Sequence, residues 1–516
     1  MRFNFFSRLL HDDSASSTPV VNHEGAAAVR LTAEAALYAA VATTLLHDGF
    51  YEKADARLDR LRGVIGQCEP LFVARLAVYA RQTLNLRSVP LVLVVELARR
   101  AGGSDLVRRT IRQVVQRPDE IAELLALYAL ANQRAGQRKS LNRLSKQVQK
   151  GLAEAFTRFD AYQLAKYDRA GAVRLRDALF LIHARGRDAA QQAAFDQLVR
   201  GGLPTPNTWE TRLTAVGQQA YASAEAKAAA VRATWEDVVT SNQLGYMALL
   251  RNLRNILQAN VSVETVGRAA ARVGDAAQVA RARQLPFRFL SAFREVQALG
   301  HADAPALLDA LETAALASVQ HLTGFDAATR VVLACDVSGS MQKTVSPRSV
   351  VQLYDIGLLL AMLLQTRCAR VTTGFFGNTW KRVSLPRHSV LANVMQLRAR
   401  EGEVGYATNG HLVIEDLLNR REVTDRVLIF TDCQLWDTRQ PGAQPISHLW
   451  AEYRRRVAPA ARLVLFDLAG AGTTPIQLDA ARGVALVAGW SERVFEVLDA
   501  LENGGSALDA IRQIDL

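Results

Sequence analysis

The pattern of apolar residues changes near residue 330, and this change limits what the chain can fold into. Residues 22–325 carry apolar side chains at i, i+3, i+4 and i+7 spacing, broken by short Gly, Pro and Asp stretches. That spacing predicts a succession of amphipathic helices. From residue 330, short β-branched runs alternate with helical segments, which predicts a mostly parallel sheet covered by helices on both faces.

The chain of 516 residues is longer than the roughly 250–300 residues that one hydrophobic core serves. We expect an N-terminal segment at 1–21, a helical repeat domain at 22–329 and an α/β domain at 330–516. The first domain should stack paired helices in series, although no clean repeat period is visible. Its clearest helices are predicted at Thr32–Leu46, Glu69–Leu84, Val89–Ala101, Ser104–Gln116, Ile121–Gln133, Leu141–Phe156, Ala161–Ala165, Leu175–His183, Ala189–Val199, Ala224–Thr240 and Met247–Gln258.

The second domain should contain six strands and five helices. The strands are predicted at Val331–Cys335, Val371–Phe376, Trp380–Val383, Arg426–Thr431, Leu463–Leu468 and Val484–Val487. The helices are predicted at Ser349–Thr366, Val390–Arg398, Gly410–Asn419, Pro445–Arg456 and Glu492–Leu501.

The positive charge of the chain is uneven. The net charge is +12, with 41 Lys and Arg against 31 Asp and Glu before residue 330, and 21 against 19 after it. A basic domain beside a nearly neutral one indicates a polyanionic partner for the first domain, since binding releases counterions. The alternative is a surface excess of charge that only keeps the protein soluble.

Cysteine usage and hydropathy exclude several classes of protein. Cys68, Cys335, Cys368 and Cys433 form no Cys-x-x-Cys pair, so neither a zinc knuckle nor a disulfide framework is indicated. Residues 1–21 are too short and too charged for a signal peptide, and no apolar run reaches the length of about 18 residues that spans a membrane. We expect a soluble cytoplasmic protein.

A cluster of oxygen ligands follows the first predicted strand of the second domain. Asp336, Ser338 and Ser340 stand at i, i+2 and i+4, and Gly339 should let the backbone turn tightly. A carboxylate and hydroxyls are ligands that suit Mg²⁺, which usually also keeps some water. A polar loop that closes a strand is the alternative interpretation of this stretch alone.

Two downstream residues can supply further ligands to the coordination shell of such an ion. Thr408 offers a third hydroxyl, and Asp432 offers a second carboxylate at the end of another predicted strand. Ligands of parallel sheets bind beyond the carboxyl ends of the strands, where both aspartates should lie. The sequence therefore predicts a site for Mg²⁺ or another divalent cation such as Mn²⁺.

The same residues fit catalysis poorly. Ser338 is not part of a Gly-x-Ser-x-Gly elbow, and the chain has no phosphate-binding Gly-x-x-x-x-Gly-Lys loop. A metal hydrolase or nuclease that uses Asp336 and Asp432 remains an alternative, but no general base recurs near the motif. We expect a binding site and no enzymatic activity.

The order Asp-x-Ser-x-Ser, Thr, Asp resembles the metal-ion-dependent adhesion site of von Willebrand factor A domains. The helical part carries short motifs in the order seen in the TROVE module. They are Asn22–Gly25, Phe50-Tyr51, Phe72–Arg81, Asn85–Arg87 with Pro90, Lys166-Tyr167, Arg174–Asp177 with His183, Leu203-Pro204, Thr208–Glu210, Trp235-Glu236 and Leu249–Leu253 with Asn255-Ile256. Over roughly residues 22–500 the chain thus resembles the Ro 60 kDa (Ro ribonucleoprotein) family, as a bacterial or phage member.

The resemblance implies a ring of α-helical HEAT-like repeats (TROVE) followed and closed by a Rossmann-like α/β von Willebrand factor A domain. Such proteins bind small Y-type noncoding RNA on an outer basic surface. Single-stranded 3′ ends of misfolded or immature RNAs enter the central hole. The implied role is RNA quality control or maturation, often beside an exoribonuclease, by a monomer in a ribonucleoprotein complex without a membrane partner.

Cations near the predicted helix Leu141–Phe156 support an RNA interface. The residues spaced by +4, +3 and +4 are Lys139, Arg143, Lys146 and Lys150. This spacing puts four like charges on one helical stripe, where they repel unless phosphates neutralise them. The stripe, with Arg138 beside it, matches the RNA-binding helix of the family, and Lys166 is a further candidate. A merely solvated face is the alternative.

Other polar and aromatic residues of the TROVE motifs have a structural alternative. Arg81, Arg87, Arg251 and Asn252 can equally be buried residues that fix helix ends. Trp209 and Trp235 are interpreted as core residues, not as platforms for bases.

The metal motif departs from the family pattern at two places. Asn409 stands where an acidic residue often follows the metal threonine, and Cys433-Gln434 replaces Asn-Glu after the final aspartate. Both changes lower the local negative charge and should weaken metal affinity more than they alter geometry. A second interpretation of the whole chain is a protein-interaction scaffold, in which the open metal position takes a carboxylate from the partner.

Overall fold

The computed structural model describes residues 19–22, 25–44, 56–101, 103–134, 141, 144–320, 325, 328–346, 349–435, 444–490, 494–502 and 505–516. Two compact units are built from discontinuous segments. The sheet unit comprises Met1–Thr44, Gln284–Arg294 and Leu311–Ala507, and the helical unit comprises Leu45–Arg283, Glu295–Ala310 and Leu508–Leu516. Within the described ranges, no helix combines the length and the apolar character needed to cross a membrane.

The described part of the first 317 residues contains two short strands followed by helices. These elements are β1 (Pro19–Val21), β2 (Ala27–Arg30), α1 (Ala33–Ala42), α2 (Ala56–Ile65), α3 (Pro70–Gln82), α4 (Ser88–Ala101), α5 (Asp105–Val114), α6 (Pro118–Arg134), α7 (Lys146–Phe156), α8 (Ala161–Tyr167), α9 (Leu175–Ile182), α10 (Ala189–Arg200), α11 (Trp209–Gln218), α12 (Ala224–Thr240), α13 (Tyr246–Gln258), α14 (Val263–Gly274), α15 (Ala276–Ala282), α16 (Phe287–Leu299) and α17 (Ala304–Ala317).

The rest of the chain alternates strands and helices. Its elements are β3 (Arg330–Asp336), α18 (Leu353–Gln365), β4 (Arg370–Phe376), β5 (Trp380–Val383), α19 (Leu391–Arg398), α20 (His411–Arg420), β6 (Arg426–Thr431), α21 (Ile446–Arg456), β7 (Arg462–Asp467), β8 (Thr473–Thr474), β9 (Val484–Ala488), α22 (Val494–Glu502) and α23 (Ala507–Arg512). A short 3₁₀ turn at Gly339–Gln342 contains Ser340, and another at Glu401–Val404 precedes the loop that carries Thr408.

The predicted order of a helical region followed by an α/β region is confirmed. Helix α12 and strands β5 and β6 lie within the predicted bounds. The prediction for α7 was wrong at its start, because the Ser145 hydroxyl accepts from the backbone N–H of Gln147 and caps the helix there. The purely helical interpretation of residues 22–325 missed β2, whose partner β8 lies more than 400 residues away in the chain.

The large sheet of the sheet unit has the strand order β5-β4-β3-β6-β7-β9, and every neighbouring pair is parallel except β4 and β5. Strand β3 lies in the middle and is buried from Val331 to Asp336, as expected for a strand covered on both faces. Its neighbour β6 is in register with it, with Cys335 opposite Phe430. The two strands therefore end at the same edge of the sheet.

A second sheet joins the N-terminal residues to the sheet unit. Strand β2 pairs with β1 and with β8, where Arg30 lies opposite Thr473. Helix α1 follows, and the Tyr38 hydroxyl donates to the backbone oxygen of Ala488 at 3.0 Å. The chain before the helical repeats is therefore structurally part of the sheet unit.

In the helical unit, the buried Glu120 carboxylate connects three parts of the chain. It accepts from Arg81 at 2.9 Å and from the backbone N–H groups of Gln116 and Arg117 at 2.7 and 3.1 Å. Arg81 also donates to the Val114 carbonyl, and Arg87 pairs with Asp119 at 3.0 Å. Arg81 is thus a buried structural residue, whereas Arg87 is partly exposed.

This arrangement predicts that Glu120→Ala destabilises the helical unit by about 3–5 kcal/mol, because it leaves Arg81 buried without its charge partner. Thermal unfolding of the full chain measures the effect as a lower melting temperature. The matched control is Asp119→Ala, which removes a partly exposed partner of Arg87 and Arg117 and should cost about 1 kcal/mol or less per pair. Equal losses in the two variants would contradict the structural role of Glu120.

Candidate metal centre and nucleic-acid interface

Both predicted metal aspartates lie at one edge of the large sheet. Asp336 is the last residue of β3, and Asp432 directly follows β6, the parallel neighbour of β3. Both residues are buried, with Asp336 1% exposed and Asp432 2% exposed. Thr408 lies in the loop before α20 and is also buried.

The hydroxyls of the motif lie beside Asp336. The backbone N–H of Ser338 donates to Asp336 Oδ1 at 2.9 Å, and the hydroxyl oxygens of Ser338 and Ser340 are 3.2 Å apart. Ser338 is fully buried, and Ser340 is partly buried. The structure therefore brings the Asp-x-Ser-x-Ser residues into one turn.

Thr431 is a residue of the site that the sequence interpretation missed. Its hydroxyl donates to Asp336 Oδ2 at 2.7 Å and accepts from the backbone N–H of Cys433 at 3.2 Å. Thr431 thus fixes the Asp336 carboxylate and the turn after Asp432 with one side chain. The available signal was its position as the last residue of β6, directly before Asp432.

The surroundings of Asp336 at this edge of the sheet disfavour its charged form. Burial, and then the neighbouring Asp432 carboxylate, raise the pKa of Asp336 above the ordinary aspartate range. The hydrogen bonds from Ser338 and Thr431 act in the opposite direction and lower that pKa. A nearby cation would favour the charged forms of both carboxylates, since an opposite charge lowers a carboxyl pKa.

Thr408 provides a test of whether the residues fit a metal ion. Its Oγ1 is buried and has no hydrogen-bond partner among the described residues. Buried hydroxyls are normally paired, so an unpaired one calls for an explanation. No group of three or more His, Cys, Asp and Glu side chains in the described ranges is suited to hold a metal. An ion here would depend on hydroxyls and water beside two carboxylates, a donor set that fits Mg²⁺ or Mn²⁺.

The loop that carries Thr408 packs closely on the end of β4. A Cβ on Gly377 would lie far inside van der Waals contact of the Gly405 oxygen, so no larger residue fits there without moving the loop. The backbone N–H of Asn409 donates to the Gly377 oxygen at 3.2 Å. Gly339, by contrast, has open space around its Cβ position within the described chain. The expected need for glycine at 339 was wrong, and the close approach is at Gly377.

The two departures from the family pattern have structural partners. Asn409 is buried and donates through Nδ2 to the Asn378 oxygen at 3.2 Å. Gln434 donates through Nε2 to the Thr473 hydroxyl at 3.1 Å. Both amides therefore hold the loops on either side of the candidate metal centre.

Only part of the predicted cationic stripe falls on described residues. Lys146 and Lys150 lie on α7 and are exposed. Arg138, Lys139 and Arg143 lie outside the described residues. Between the two exposed lysines, Gln149 donates to the backbone oxygen of Leu181 at the end of α9. Helix α7 thus contacts α9 through Gln149.

Lys166 lies among aromatic rings. Its Nζ is 5.9 Å from the ring centroid of Tyr162 and 5.7 Å from that of Tyr167. The sequence interpretation did not identify the exposed aromatics of this region, Tyr162 on α8 and Phe180 on α9, which are 52% and 60% exposed. Exposed rings beside cations are the combination that single-stranded nucleic acids use for stacking.

The remaining sequence candidates divide between core and surface. Trp235 is 4% exposed and stacks on Trp209, with centroids 6.0 Å apart, which confirms a core role for Trp235. Asn252 is buried and donates to the Ala248 oxygen at 2.8 Å. Arg251 is exposed.

The sequence matches two family models in succession. The TROVE domain model matches residues 32–200 and 199–307, and the Ro60 vWA domain model matches residues 330–501. The chain belongs to the Ro60 family. It is therefore a member of a family of RNA-binding ribonucleoproteins.

Relatives of this Ro60 family member differ strongly in sequence. Telomerase protein component 1 of Rattus norvegicus is 22% identical over 316 residues, and that of Mus musculus is 23% identical over 314 residues. The alignments cover 46% of this chain but only 11% of either relative. The crystal structure of the Deinococcus radiodurans RO (RSR) protein is similar, with a TM-score of 0.55 and 20% identity over 90% of this chain and 98% of that chain.

The close packing at Gly377 predicts that Gly377→Ala moves the Thr408 loop and lowers the melting temperature of the sheet unit. Overpacking of this kind costs about 1–3 kcal/mol. Gly339→Ala is the control in the Asp336–Ser340 turn and should leave the melting temperature unchanged, because a Cβ there meets open space among the described residues. A tolerated Gly377→Ala variant would mean that the loop approaches β4 less closely than described.

Proposed function

We propose that this chain is an RNA-binding scaffold of a ribonucleoprotein. In this proposal it binds a small Y-type noncoding RNA and the single-stranded 3′ ends of misfolded or immature structured RNAs, for quality control or maturation. The observation that carries the proposal is the exposed cationic face of α7 in a TROVE-family helical unit. The excess of ten positive charges before residue 330 agrees with it.

Within the part of the chain that the structure describes, the Lys146 and Lys150 side chains form no ion pair that would compete with RNA. Both side chains are exposed, one helical turn apart on the same face. A phosphate backbone would relieve their repulsion and release counterions, which favours binding at low salt. The exposed rings of Tyr162 on α8 and Phe180 on α9 offer surfaces in the same unit on which unpaired bases can stack.

Replacement of Lys146 and Lys150 by Ala should weaken RNA binding without unfolding the protein. We expect the log–log salt dependence of the affinity to flatten by about one unit for each lost phosphate contact. Fluorescence anisotropy with a tailed RNA hairpin at several salt concentrations measures both quantities. The control replaces exposed cations elsewhere in the helical unit, Lys227→Ala with Arg200→Ala. If both double variants bind as the wild type does, the α7 surface is not the RNA interface.

For the sheet unit we propose that one Mg²⁺ or Mn²⁺ is held by Asp336, Ser338, Ser340, Thr408 and Asp432, directly or through water. The ion would leave one position open to an acidic group of a protein partner, which is a binding and not a catalytic role. The unpaired, buried Thr408 hydroxyl favours this second function. When bound, the ion would supply the positive charge that lets both carboxylates stay ionised.

Addition of millimolar Mg²⁺ or Mn²⁺ should raise the melting temperature of the sheet unit, because a ligand that binds only the folded state stabilises it. Asp336→Ala should abolish this shift and leave RNA affinity unchanged, since Lys146 and Lys150 belong to the helical unit. Thermal unfolding with and without metal, combined with RNA titration, measures both outcomes. A wild-type protein that shows no shift would contradict the cation site, and a loss of RNA affinity in the variant would contradict the separation of the two functions.

A further inference from the structure

We propose that Asn22, near the N-terminus, is a positioning residue of the candidate metal centre. It would act by fixing the loop Asp432–Leu435, which carries one of the two metal carboxylates. This inference rests on the cation site proposed above, although its structural part can be measured without metal. The residue directly after β1 would then help to position the binding site of the sheet unit.

The side chain of Asn22 is buried, and both ends of its amide are used. Its Nδ2 donates to the backbone oxygen of Leu435 at 2.9 Å, and its Oδ1 accepts from the backbone N–H of Ala26 at 2.9 Å. The backbone N–H of Asn22 also donates to the backbone oxygen of Ala26 at 2.8 Å. Asn22 is therefore rigidly placed when it holds Leu435.

Leu435 connects the two loops that carry the metal ligands. It lies three residues after Asp432, and its side chain is 1% exposed. Its Cδ1 lies 2.8 Å from the position that a Cβ on Gly410 would occupy. Gly410 in turn donates from its backbone N–H to the Thr408 oxygen at 2.9 Å. A shift of Leu435 would therefore disturb both Asp432 and Thr408.

A second contact ties the same loop to the small sheet. The Gln434 amide donates to the Thr473 hydroxyl on β8, and β8 pairs with β2, where Thr473 lies opposite Arg30. The backbone N–H of Gln434 also donates to Asp432 Oδ1 at 3.0 Å. The loop Asp432–Leu435 is thus held at two points. The Gln434 side chain bonds to Thr473 on β8, and the Leu435 backbone oxygen accepts from the Asn22 side chain.

Groups that orient metal ligands from outside the coordination shell affect affinity strongly, because the ligands must hold their geometry before the ion arrives. Loss of such a group typically weakens metal binding about 10–100-fold. Asn22 acts through the Leu435 backbone and not on Asp432 directly. We therefore expect Asn22→Ala to weaken Mn²⁺ binding by about tenfold.

The experiment compares three full-length variants with the wild type by Mn²⁺ titration and thermal unfolding. The control for a simple loss of stability is Asn393→Ala, since Asn393 is also buried and also donates from Nδ2 to a backbone oxygen, that of Pro386. Asp432→Ala marks complete loss of the site. We expect Asn22→Ala and Asn393→Ala to lower the metal-free melting temperature similarly, while only Asn22→Ala weakens Mn²⁺ binding. Equal Mn²⁺ affinities of these two variants would overturn the inference.

Hydrogen–deuterium exchange without metal tests the structural part separately. Asn22→Ala should speed exchange in the segments 432–435 and 408–410 above the rate in the wild type, and Asn393→Ala should not. Thr473→Val, which removes only the acceptor of Gln434, is the milder second variant if Asn22→Ala folds poorly. A wild-type protein without Mn²⁺ binding would refute the cation site, whereas unchanged exchange at both segments in Asn22→Ala and Thr473→Val would refute the positioning role itself.

Discussion

The opposition of two buried carboxylates at neighbouring strand ends is the constraint around which the sheet unit is organised. Parallel pairing of β3 and β6 brings Asp336 and Asp432 to one edge, where burial and the neighbouring Asp432 carboxylate raise the pKa of Asp336. Fixed hydrogen-bond donors contact both carboxylates. The Thr431 hydroxyl and the backbone N–H of Ser338 donate to Asp336, and the backbone N–H of Gln434 donates to Asp432. These donors fix the positions of the carboxylate oxygens, which suits the proposed cation site.

Local sequence patterns predicted the elements that create this edge. The β-branched runs that precede Asp336 and Asp432 are strands β3 and β6, and the topology rule placed both aspartates at their carboxyl ends. Thr431 escaped notice because its role depends on a contact across strands, not on spacing within the motif. The prediction that position 339 requires glycine was wrong. A turn requires glycine only where φ is positive or where a Cβ would meet a neighbouring atom, and among the described residues neither holds at Gly339.

Long-range pairing explains the rest of what sequence reasoning missed. Strands β1 and β2 are short, and β2 pairs with β8, which lies more than 400 residues later in the chain. No local periodicity therefore predicts them. Asn22 belonged to a motif that matched the TROVE order, yet its hydrogen bond to Leu435 lies in the sheet unit. On α7, the Ser145 cap sets the start of the helix and leaves Lys146 and Lys150 as the cations that the described helix carries.

We propose that the helical unit binds RNA and that the sheet unit binds a cation together with an acidic partner. The most direct test of the RNA claim is a titration of one hairpin RNA prepared with a blunt end and with single-stranded 3′ tails of increasing length. We expect affinity to rise with tail length at constant duplex length, because unpaired bases can stack on exposed rings beside cations, whereas paired bases cannot. Equal affinity for the blunt and tailed hairpins across the series would contradict the proposed recognition of 3′ ends.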